Sequence, residues 1–117
     1  MSVDVEATFQ RGFEYRCGGQ YDLAKAEFNK VLAVEPNHSK TVHQMGLIQG
    51  FEGDFDGSLA TLQSLCEKYP SNLEIRYDLA MTQMMLGMSD EACANLRLIL
   101  AADPTHEKAK QQIVYCP

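Results

Sequence analysis

Apolar and small residues return along this chain at a fixed interval of 34 positions. With Val5 as position 1, position 8 holds Gly12, Gly46 and Ala80, and position 20 holds Ala24, Ser58 and Ala92. Position 24 holds Phe28, Leu62 and Leu96, and position 27 holds Val31, Leu65 and Ile99. Positions 24 and 27 lie three apart and share one helical face, while small residues at 8 and 20 let two helix backbones approach. Position 15 is Gly19, Gly53 and Gly87, placed where a first helix must end and a positive φ is useful. Position 32 is Pro36, Pro70 and Pro104, and proline stops a second helix while holding its predecessor extended. The pattern predicts helices over 4–17, 21–34, 39–51, 55–68, 73–86, 89–102 and 107–115. The chain is therefore all-α: three units, 5–38, 39–72 and 73–106, each a helix A, a turn and a helix B, within one domain spanning 1–117. Residues 107–117 continue the frame as a capping helix, with Ile113 and Val114 expected to pack on helix B of the third unit.

These columns resemble the tetratricopeptide repeat, a family of 34-residue helix–turn–helix units. The resemblance spans residues 5–106 and rests on the small position 8, Tyr15 at position 11, Tyr21 and Phe55 at position 17, the packing columns and the three prolines. Departures are Thr8, Val42 and Arg76 at position 4, Arg11 at position 7, and Gln49 and Gln83 at position 11. Each is expected to weaken a single contact. The resemblance implies a right-handed helical solenoid whose A helices line a concave surface.

Charge and composition narrow the function. The chain has 117 residues, 45% of them hydrophobic, and a net charge of −6. That charge argues against nucleic acid, which needs a basic face, and against an anionic membrane surface. No run is apolar and long enough to span a bilayer and no signal peptide is visible, so no membrane insertion and a cytoplasmic location are expected. Cys17, Cys66, Cys93 and Cys116 form no CxxC pair, so reduced, structural thiols and no metal are expected.

No catalytic set emerges. Cys17 and His43 fall at positions 13 and 5, and eight residues along neighbouring parallel helices amount to roughly 12 Å, too far for a nucleophile–base pair. His38 and His106, at position 34, suit solvated caps beside turns. Asp54 and Asp56 lack further oxygen ligands at loop spacing, and acids at helix starts follow from the macrodipole. No phosphate loop or nucleophile elbow is present. The expectation is a non-catalytic protein with no cofactor.

The resemblance implies that ligand contacts come from positions 2, 5, 9, 12 and 13. Chaperone-binding members of the family clamp a terminal carboxylate with Lys and Asn at 5 and 9 of one unit, Asn at 6 of the next, and Lys and Arg at 2 and 6 of the third. Those places here hold Phe9, Phe13, Gln44, Glu74 and Asp78, so two cations have become acids and the carboxylate clamp is excluded. The groove positions instead carry Phe9, Phe13, His43, Leu47, Phe51, Tyr77, Met81, Met84 and Met85. A second apolar stripe on an otherwise polar surface points to a partner, and thioether side chains suit adaptable binding. An apolar peptide or an amphipathic helix of an unidentified protein partner is expected there, in an adaptor, scaffold or assembly role. Met84 and Met85 have a competing place beneath the capping helix. The other use of these surfaces is self-association, as a homodimer or as part of a larger scaffold.

Overall fold

Three glycines set the period in space. Gly19, Gly53 and Gly87 adopt φ of 77°, 91° and 76°, the left-handed region that ends a helix without a Cβ penalty. Each is followed by the same backbone bond reaching five residues back, Gln20 to Tyr15, Asp54 to Gln49 and Met88 to Gln83, all 2.8 Å. This is the Schellman closure, and it turns the chain into a second, antiparallel helix each time.

The computed structural model describes residues 2–117 and contains seven helices among them. They are α1 (Val5–Cys17), α2 (Tyr21–Val34), α3 (Ser39–Phe51), α4 (Phe55–Lys68), α5 (Leu73–Met85), α6 (Ser89–Ala102) and α7 (Glu107–Ile113). The second helix of each pair stops two residues before its proline. Its C-cap, Glu35, Tyr69 or Asp103, has φ between −128° and −141°, the extended backbone that the following proline selects. Asp4, Asp54 and Asn72 cap α1, α4 and α5 by accepting from backbone N–H groups three residues on. Asp54 is therefore a helix cap.

The packing columns are the core. Ala24, Phe28, Leu62, Ala80, Ala92, Leu96 and Ile99 are fully buried. Leu62, Leu65 and Cys66 of α4 meet Ile75 and Leu79 of α5, joining the second unit to the third. Ala80, Leu96, Ile99 and Ala109 join α5 and α6 to α7.

The structure corrects two expectations at the C-terminal end. Helix α7 stops at Ile113, not at 115, and Val114 is 71% exposed, so Ala109, Ile113 and Cys116 form the packing face instead. The chain leaves the helix through three-residue turns, Tyr115 N–H to Gln112 and Cys116 N–H to Ile113. That path brings Cys116 to Cys93 of α6, and the two form a disulfide. The expectation of reduced thiols fails for this pair, since 23 residues separate its members and only the fold of the tail joins them. Cys66 is free and buried in the core; Cys17 is free and exposed.

Candidate interaction groove

The A helices α1, α3 and α5 present positions 5, 9, 12 and 13 to one side of the stack, with the exception of position 12 in the third unit. A cavity of about 850 Å³ opens there, and its wall includes Phe13, His43, Leu47, Phe51, Tyr77, Met81 and Met85. Seven of the nine groove residues named from sequence thus line one space. Phe9 borders a neighbouring cavity of about 240 Å³, where its ring packs against Phe13, Phe28 and His38. Met84 is elsewhere: it turns into the core formed by α5, α6 and α7. Position 12 borders the packing stripe, and a methionine there reaches the capping interface. Met85, one residue on, is 67% exposed.

The lining carries chemistry that the apolar pattern did not signal. Arg16 holds its guanidinium 5.1 Å from the Phe13 ring centre and 5.8 Å from that of Phe51. Phe51 stacks in turn on Tyr21 at 5.6 Å and is still 55% exposed. A cation over two aromatic faces is held electrostatically without a carboxylate partner. On α5, Lys108 of α7 lies 5.8 Å from the Tyr77 ring centre. Burial raises the Tyr77 phenol above its ordinary pKa, and the charge of Asp78 raises it further, so the hydroxyl stays a neutral donor.

His43 is tied across units. Its Nε2 lies 2.7 Å from Oδ2 of Asp78, joining α3 to α5. The spacing of 35 is one repeat plus one residue, a signal the sequence held in the adjacency of positions 5 and 6. Cys17 makes a different contact, 3.7 Å from Arg16 Nη2. His38 and His106 sit at helix starts: His106 Nδ1 accepts from Ala109 N–H, and His38 Nδ1 lies 2.7 Å from Thr41 Oγ1. Both rings also pack on the position 5 aromatics, His38 on Phe9 and His106 on Tyr77. Among the described residues no three His, Cys, Asp or Glu side chains gather as metal ligands, and no helix is long and apolar enough to cross a membrane.

Two family models, each described as tetratricopeptide repeat, match this chain over residues 52–113 and 5–38, the first covering more than half of it. The chain belongs to the tetratricopeptide repeat family. The matches leave residues 39–51, helix α3, between them. No curated protein sequence matches the chain. Among solved structures, a MamA point mutant superposes with a TM-score of 0.76 at 24% identity, over 97% of this chain and 63% of that one. MamA from Desulfovibrio magneticus RS-1 gives 0.81 at 21%, over 96% and 63%. A Thermobaculum terrenum O-GlcNAc transferase mutant gives 0.85 at 19%, over 97% of this chain and 22% of that one. This tetratricopeptide repeat chain therefore spans under two thirds of the MamA chains and about a fifth of the transferase chain. At these identities the likeness is one of fold: a helical solenoid. The family makes the chain a protein–protein interaction or scaffold module.

Proposed function

We propose that the three repeats, 5–38, 39–72 and 73–106, with the cap 107–117, act as one domain that binds an apolar peptide or short helix of a partner protein on its A helices. The groove side chains are Phe13, His43, Leu47, Phe51, Tyr77, Met81 and Met85, with Phe9 at one edge. The observation that carries this reading is the cavity of about 850 Å³ bordered by large apolar side chains, of which Phe51 and Met85 remain exposed. These positions change chemical type from unit to unit, as in Phe9, His43 and Tyr77, whereas the packing columns stay apolar throughout except for the small Ser58, so stacking alone does not call for their size. Burying one such anchor contributes about 1.5–3 kcal/mol gross, and three or four give micromolar binding after ordering costs. Panning a random peptide library on the intact chain tests it. Peptides with spaced apolar anchors should be enriched, and Phe51→Ala with Met81→Ala should weaken them by about tenfold or more. Leu23→Ala, on the exposed face of α2, should leave binding unchanged. No enrichment, or binding indifferent to the groove substitutions, would end the proposal.

Self-association is the second reading, favoured by Val114 and Tyr115, which stand exposed at the C-terminal end. Light scattering across a concentration series decides it, and a constant monomer mass removes it.

A further inference from the structure

The geometry points to a cationic side chain as the polar feature recognised in the groove: a partner peptide carrying an arginine or lysine between apolar anchors, received by Glu74, Asp78 and Gln44. This inference rests on the groove reading above and specifies its ligand.

Phe13, His43, Gln44 and Glu74 border both the larger and the smaller cavity, so they stand where the two spaces meet. Acceptors are in excess at that junction. Glu74 has no ion pair and no side-chain hydrogen bond among the described residues, and Asp78 is engaged through Oδ2 by His43. Gln44 is only 8% exposed, yet its Oε1 is buried without a hydrogen-bond partner. A buried acceptor left unpaired is costly, and a donor brought by a ligand would relieve it. The cations on the wall make no ion pair with these acids: Arg16 is held over Phe13 and Phe51, Lys108 over Tyr77, and Lys40, on the wall of the smaller cavity, forms no ion pair among the described residues.

Glu74 and Asp78 lie four residues apart on α5 and share one helical face. Two carboxylates one turn apart suit a guanidinium, whose planar fork donates along two directions, and also accept an ammonium. Apolar side chains flank the junction on both sides, Phe9 and Phe13 toward the smaller cavity, beside the polar Ser39, Lys40 and Asn72, and Leu47, Tyr77 and Met81 toward the larger. The preferred ligand thus reads apolar, cationic, apolar. A peptide carboxylate would meet repulsion at the same place.

The test uses peptides selected on the intact chain and then resynthesised. Selected sequences should share an arginine or lysine at one position between apolar residues. Citrulline in place of that arginine keeps the shape and removes the charge, and should weaken binding about tenfold in fluorescence anisotropy. Glu74→Gln should weaken the arginine peptide similarly and leave the citrulline peptide nearly unaffected. Glu74 is exposed and makes no hydrogen bond or ion pair that glutamine would break among the described residues, and circular dichroism checks that the variant is folded. Groove-binding peptides without a shared cation, or equal citrulline losses in Glu74→Gln and the parent, would overturn the cation and leave the groove reading standing. Binding indifferent to Phe51→Ala and Met81→Ala would overturn both.

Discussion

At position 8 the three units differ by a single methyl group, and in the first unit the choice follows position 24. A Cβ built on Gly12 would stand 2.5 Å from Cε1 of Phe28, whose ring is fully buried and has nowhere to go. The third unit carries Ala80 at the same place and faces Leu96, the smaller partner. Glycine in the first unit is thus the complement of phenylalanine. Gly12→Ala should destabilise the chain, because overpacking costs about 1–3 kcal/mol while the gain in helix propensity is about 1 kcal/mol. Phe28→Leu opens a cavity on its own, but combined with Gly12→Ala it should cost less than the two separate losses added. Urea unfolding of the four proteins in this cycle measures the coupling, and simple additivity would refute the complement. This column was legible in the sequence as small residues. The reason for each choice was not, because it depends on a side chain 16 residues away across the helix pair.

Between elements, the positions that looked weakest in the repeat pattern turn out to be bonded. Gln49 accepts from Thr61 Oγ1 and Gln83 from Asn95 Nδ2, both at 2.8 Å, and each pair links positions 11 and 23 of one unit. Arg76, at position 4, donates to the same Asn95 at 2.9 Å. In the first unit the link shifts to Arg11 and Glu27, 3.4 Å apart. Departures from the apolar repeat are thus exchanged in partnered sets, which a column-by-column reading judges singly and misses. Asn95→Ala leaves the buried Gln83 without this partner and half-buried Arg76 with only its bond to the Pro70 carbonyl, and should cost about 1–3 kcal/mol in urea unfolding. A loss below about 0.5 kcal/mol would mean that water replaces the bonds. Helix boundaries were readable because glycine and proline mark them locally. The end of α7 was not: it is decided by the turn that carries Cys116 to Cys93. Closing a loop of this length restricts the unfolded chain by about 3 kcal/mol. Cys116→Ser should therefore lower stability by that order, while Cys17→Ser, at an exposed free thiol, should not. Thiol titration of the unfolded, unreduced protein should find two reactive groups, matching the two free cysteines. Four would show that the pair does not form.

Across the whole molecule the stack is long and thin, 53 × 27 × 22 Å, and each unit is secured only by its neighbours. Its two ends are held differently. Helix α1 buries Thr8 and Gly12, and every apolar side chain on it keeps some exposure to solvent. Its unit joins the next through Ala24, Phe28 and Ile48. The middle is bound through the α4–α5 core, and the C-terminal end through the α5–α6–α7 core and the disulfide. Local opening follows such differences, since segments with little buried apolar surface open at lower free energy. Amide hydrogen exchange under native conditions should therefore grade along the chain. Helix α1 should exchange first, α4 and α5 last, and α7 should be more protected than α1 despite being about half its length. In Cys116→Ser the protection of α7 should fall to the level of α1 while that of α4 and α5 changes little, because the disulfide acts on the end and not on the middle. Equal protection of all helices in the parent would mean that the chain opens only as a whole. In that case the groove on α1, α3 and α5 would be a rigid surface. With the gradient, Phe9, Phe13 and Arg16 on α1 form the adjustable wall of the groove, and the acids on α5 its fixed one.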